Sequence, residues 1–100
     1  VAPEAQHSGA YDERCDVYSF GLLLWELLHQ ATPFEGMHGM IASSRTLLGD
    51  RPTINLHGPR ANFTSLIKRC WQHDPHTRPS MEACVVELHG RLKERPVTPP

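Results

Sequence analysis

Asp16-Val-Tyr-Ser-Phe20-Gly-Leu-Leu-Leu-Trp25-Glu-Leu-Leu-His29 is the stretch that decides the fold. Val17, Phe20, Leu24, Leu27 and Leu28 make one helical stripe, and Leu22, Leu23 and Trp25 carry apolar bulk onto the other sides. A helix that is apolar around most of its circumference belongs in an interior. It is shorter than the roughly 20 apolar residues a bilayer demands, and Glu26 interrupts it, so the reading is a central buried post wrapped by amphipathic pieces. Gly21 costs a helix about 1 kcal/mol relative to Ala, which points to another element approaching closely there. Asp12 or Asp16 is placed to cap the post, because a carboxylate at a helix start accepts orphan N–H groups and suits the positive end of the dipole.

Working outward, the spacing predicts three further amphipathic helices. Residues 1–12 carry Pro3 and Gly9 and few apolar residues, giving a short helical turn from Pro3 and then a loop. After the post, Ala31-Thr-Pro-Phe-Glu-Gly36 reads as a loop, and Met37, Met40, Ile41, Leu47 and Leu48 mark a weak second helix stopped by Gly49-Asp-Arg-Pro52. Phe63, Leu66, Ile67, Cys70 and Trp71 fall at i, i+3, i+4, i+7 and i+8 behind Asn62, a candidate N-cap. Pro75 and Pro79 end that helix, and Ser80 opens another whose stripe is Met81, Cys84, Val85, Leu88 and Leu92. No stretch alternates as a strand does. The fold class expected is therefore all-α, with one domain over residues 1–93 and a proline-rich unstructured tail over 94–100.

Composition narrows the function. One hundred residues allow one small domain, and a net charge of −1 without a Lys/Arg cluster argues against nucleic acid or an anionic membrane as the main partner. Cys15, Cys70 and Cys84 are odd in number and form no Cys-x-x-Cys pair; with no secretory leader visible, reduced thiols in a cytoplasmic setting are expected. The chain opens on Val1 rather than Met and reads as part of a longer protein. Cys70-x-x-His73-x-x-His76 invites a metal reading, but Cys70 lies on an apolar stripe, His76 sits between prolines and no fourth ligand is evident. No metal site is assigned, and no nucleophile elbow presents a hydrolase triad.

Three segments, in this order, resemble the C-terminal lobe of eukaryotic protein kinases, closest to the tyrosine-kinase-like Ser/Thr kinase group. They are Ala2-Pro3-Glu4; Asp16-Val-Tyr-Ser-Phe-Gly21 with Trp25-Glu26-Leu27; and Cys70-Trp71-x-x-Asp74-Pro75-x-x-Arg78-Pro79-Ser80. The resemblance runs to about Leu92, and Tyr18 is what favours the tyrosine-kinase-like group. It implies a buried ion pair between Glu4 and Arg78, a hydrogen-bonding role for Asp16 toward the catalytic loop, and support of a hydrophobic column by Leu23 and Leu27. Trp71 would be a structural residue of the last helices, and Glu26 a position where some kinases touch substrate, though a structural role is favoured.

The resemblance also implies a parent enzyme that uses ATP and Mg to phosphorylate Ser or Thr of protein substrates, or alternatively a pseudokinase lobe serving as a protein-binding scaffold. The glycine-rich loop, ATP-positioning Lys, catalytic Asp and Asn, and metal-binding Asp of that family are not among these residues. Ser19-Phe20-Gly21 lacks the carboxylate of a metal motif, and Gly36-x-x-Gly39 lacks the spacing of a phosphate loop. The 100 residues alone are thus expected to hold no cofactor and to be inactive. Their partners would be protein substrates and the rest of the kinase domain, with no nucleic acid and no membrane.

Overall fold

The computed structural model describes residues 2–4, 12–31, 33 and 46–93, and among these every regular element is helical. The long helix α1 spans Glu13–His29, α2 spans Thr64–Cys70, and α3 spans Met81–Lys93, with 3₁₀ turns at Gly58–Phe63 and Pro75–Thr77. The expected helix around Met37–Leu48 lies mostly outside the described residues, as does the tail 94–100.

Asp12 is the residue that caps α1: its extended backbone leads into the helix and its carboxylate accepts from the Arg14 N–H at 2.9 Å. Asp16 sits instead in the first turn, exposed, where a negative charge suits the helix dipole. At the other end Gln30 adopts a left-handed conformation (φ 54°) and returns its N–H to the Glu26 carbonyl, which stops the helix.

One face of α1 carries Val17, Tyr18, Gly21, Leu24 and Trp25, all buried, and meets α2 along Leu66, Ile67 and Cys70, each of which has no exposed surface. The close approach expected at Gly21 is there: a Cβ at that position would stand 2.8 Å from the Cys70 Cβ. α3 adds Cys84, fully buried, to the same cluster. The post is not wrapped on all sides, however. Leu23 and Leu27, on the face turned from α2, are 51% and 65% exposed, because none of the described residues reaches across to cover them.

Two further expectations are corrected. Asn62 is not an N-cap: Gly58 at φ 63° and Pro59 start a 3₁₀ turn that runs straight into α2, so the helix is already under way at Asn62, whose amide oxygen accepts from Arg91 Nη1 at 3.3 Å. Val85 and Leu92 do not join the core, being 57% and 48% exposed. The seven-residue α2 offers α3 too narrow a surface to cover its whole stripe, so Cys84, Met81 and Leu88 take the contact and the other edge stays wet. Ser80 caps α3 through its hydroxyl, which accepts from the Ala83 N–H at 3.0 Å.

Candidate functional site

The site with the densest polar geometry lies where the first residues of the chain meet the turn before α3. Pro75 and Pro79 keep residues 75–79 out of an α-helix, and the Asp74 carboxylate accepts from the His76 N–H at 2.9 Å to fix that turn. Arg78 leaves it in extended backbone, and its side chain runs inward with no exposed surface at all.

All five of its N–H donors are used. Nη1 donates to Glu4 Oε2 at 2.7 Å and to the Arg14 carbonyl at 2.9 Å; Nη2 donates to Glu4 Oε1 at 2.9 Å and to the His73 carbonyl at 3.4 Å; Nε donates to the Gln72 carbonyl at 2.8 Å. One guanidinium thus holds a carboxylate in a two-bond fork, the first turn of α1, and the end of the segment after α2. The Cys15 thiol gives Glu4 a further donor, to Oε2 at 3.2 Å.

The electrostatics follow from these contacts. Partial burial opposes ionisation of Glu4, but the Arg78 hydrogen bonds, its own backbone amide, the Cys15 thiol and the Arg78 charge together outweigh burial and hold its carboxyl down to about 2. Burial, and the neighbouring Glu4, push the Cys15 thiol up. Tyr18, 1% exposed, lies beneath two guanidinium groups, with Arg78 Cζ 4.9 Å and Arg51 Cζ 5.1 Å from its ring centroid. Burial raises its phenol above the usual value, so it serves as a neutral aromatic floor. Sequence reasoning reached Glu4 and Arg78 but not Tyr18 or Cys15 as members of the site. A short apolar spacing, Cys15 to Tyr18 on one helix face, was the only available signal.

The other candidate residues stand apart from this cluster. Trp71 is buried beside it, 6% exposed. Trp25 anchors the far end of α1, donating from Nε1 to the Thr53 carbonyl at 3.0 Å and stacking on His29 at 4.2 Å between centroids. His29 Nε2 accepts from the Asn55 N–H at 2.9 Å, which leaves Nδ1 as the donor to the Trp25 carbonyl and fixes the neutral tautomer. Glu26 is half-buried, and its carboxylate makes no hydrogen bond or ion pair with a described residue. Leu23 and Leu27 face solvent.

Ligand atoms of Glu4, Asp12 and Cys15 fall within 4.8 Å of one another. This group does not suit Mg²⁺, a hard ion that takes oxygen ligands in octahedral geometry, because both Glu4 oxygens are engaged by Arg78 and the third donor is a thiol. No cluster of three possible ligands includes Cys70, His73 and His76 among the described residues. No helix among the described residues is long and apolar enough to cross a membrane.

A fork between residues 74 positions apart, closing an all-helical packing around a long apolar helix, is accompanied by a match to the family model for protein tyrosine and serine/threonine kinases over residues 1–88. The chain belongs to that family. It is 42% identical over 92 residues to a serine/threonine-protein kinase/receptor of Acanthamoeba polyphaga mimivirus, covering 92% of this chain and 6% of that protein. It is 39% identical to a LIM domain-containing serine/threonine-protein kinase of Dictyostelium discoideum, over 82% of this chain and 8% of the relative. Mitogen-activated protein kinase kinase kinase 7 of Bos taurus is 38% identical over 85% of this chain, which spans 15% of that relative's length.

Proposed function

We propose that this chain forms the lower part of the large lobe of a Ser/Thr protein kinase, an intracellular enzyme that transfers the γ-phosphate of ATP to Ser or Thr of protein substrates. The observation that carries the reading is the Glu4–Arg78 fork, which ties the Ala-Pro-Glu segment to the Arg-Pro-Ser junction in a family member whose similar proteins include Ser/Thr kinases. In this reading the chain's own residues do no chemistry. Glu4, held ionised by Arg78, fixes the end of the segment that leads to the substrate platform. Asp16, exposed at the start of α1, offers its carboxylate to the backbone of the catalytic loop. Leu23 and Leu27 present an apolar face for the remainder of the domain to sit on. ATP and Mg²⁺ would be bound by residues outside these 100, since the described acidic cluster does not fit the ion.

The test is a phosphotransfer assay on the full-length protein, with ATP, Mg²⁺ and mixed peptide libraries presenting Ser, Thr or Tyr as acceptor. Transfer to Ser and Thr peptides is the expected result. Transfer to Tyr alone overturns the specificity, and ATP-independent behaviour with no transfer to any acceptor overturns the catalytic reading.

A further inference from the structure

Between the Gly49–Ile54 segment and the end of α2 lies a groove of about 500 Å³. Its apolar wall is Pro52, buried, and Ile54, half-buried, and its floor is Trp71. Trp71 is 6% exposed, and its indole N–H makes no hydrogen bond with a described residue. Every fully buried side-chain nitrogen or oxygen of the described residues is hydrogen-bonded, so this N–H is not fully buried, and Trp71 lines the groove.

The remaining polar side chains of the lining are Arg51, Lys68, Gln72 and His73, of which Arg51 and Lys68 are cations. Arg51 spends Nε on the Trp71 carbonyl at 2.9 Å and Nη1 on the carbonyls of Asp50 and Thr46, at 2.8 and 3.2 Å, leaving Nη2 without an acceptor among the described residues. Lys68, exposed on α2, makes no hydrogen bond or ion pair with a described residue, and neither does the His73 ring. No carboxylate is among the described residues that line the groove; Asp50 lies next to Arg51 in the chain but outside the lining. In a chain of net charge −1 the lining thus carries two cations, Lys68 and an Arg51 that also feels the Asp50 charge and lies over the Tyr18 ring, beside the apolar Pro52, Ile54 and Trp71. An arginine packed against a buried carbonyl is also pre-positioned, so little side-chain freedom is lost when Nη2 meets an anion.

We propose that this groove is a docking site for an acidic peptide segment of a partner protein, its Glu or Asp carboxylates facing Lys68, Arg51 Nη2 and the Trp71 indole, and an aliphatic side chain beside them resting on Pro52 and Ile54. Charge complementarity selects the acidic segment, and the apolar wall selects a mixed sequence over a purely charged one. The inference does not rest on catalysis: the groove shares Gln72 and His73 with the Arg78 network but needs no ATP.

The experiment is fluorescence anisotropy of a labelled peptide, acetyl-Glu-Glu-Leu-Glu-Glu-amide, titrated with the full-length protein. Binding that weakens with added salt is expected, with a loss of about tenfold or more in Lys68→Glu, a change at an exposed, unbonded side chain that leaves the fold intact by circular dichroism. Lys93→Glu, outside the groove, should leave the affinity unchanged, and the peptide with every Glu replaced by Gln should not bind. Equal binding of the Gln peptide, indifference to Lys68→Glu, or an equal loss in Lys93→Glu overturns the proposal. Binding of a phosphoserine peptide where the Glu peptide fails also overturns it, by showing a phosphate site instead.

Discussion

Replacing Arg78 with Ala is the most demanding perturbation of this structure, and its cost can be built up from the contacts. The substitution removes five hydrogen bonds at once, leaving a carboxylate and three carbonyls without their donor. Breaking a buried ion pair by deleting one partner costs about 3–5 kcal/mol. Glu4 keeps 23% of its side chain exposed and so recovers part of its hydration, which favours the lower half of that range. The loss of the cation above Tyr18 adds about 0.5–1 kcal/mol. Water entering the vacated space re-satisfies some of the carbonyls, so their full desolvation penalty is not added. The sum is about 4 kcal/mol, a large part of a typical total stability of about 5–15 kcal/mol.

Arg78→Lys should recover about half of this, because an ammonium has three donors and cannot make the planar fork. The assay is urea unfolding of the full-length protein at neutral pH, followed by Trp fluorescence and circular dichroism. A double-mutant cycle with Glu4→Gln should then show a coupling of about 2–3 kcal/mol, since Glu4→Gln has little left to lose once Arg78 is gone. A cost below about 1 kcal/mol for Arg78→Ala, the value of an exposed pair, would refute the reasoning.

Three further outcomes follow from individual contacts. Because the folded-state carboxyl of Glu4 is depressed from 4.5 to about 2, its contribution is fully present above about pH 4.5 and is lost as pH falls toward 2; acid titration of stability should show a loss of about 2–3 kcal/mol in that window, absent from Arg78→Ala. Gly21→Ala gains about 1 kcal/mol of helix propensity but drives a Cβ to 2.8 Å from that of Cys70, so thermal melting should show a net destabilisation of about 1–3 kcal/mol; an unchanged or higher Tm would contradict the close packing of α1 on α2. Burial raises the thiols of Cys15, Cys70 and Cys84, all 2% exposed or less, so alkylation by iodoacetamide at neutral pH should be slow and should track global unfolding in a denaturant series; fast labelling of the native protein would contradict it.

The residue pattern by itself determined that the chain is helical, which stripe of α1 and α2 is apolar, and where prolines break the path, because these depend on periodicity and on local backbone chemistry. It also pointed to Gly21 as a contact, since a glycine inside so apolar a helix costs propensity with no local reason to be there. The resemblance carried by short motifs brought Glu4 and Arg78 forward as a pair, although nothing local links residues 74 positions apart. What only the tertiary structure decided is how each donor is spent. Arg78 exhausts its five N–H groups on three separate chain segments, and Arg51 leaves one terminal nitrogen without an acceptor among the described residues because its other donors are fixed on carbonyls. The exposure of Val85 and Leu92 was likewise invisible in the pattern, because an apolar stripe states which residues favour burial and only the packed neighbours determine which of them obtain it.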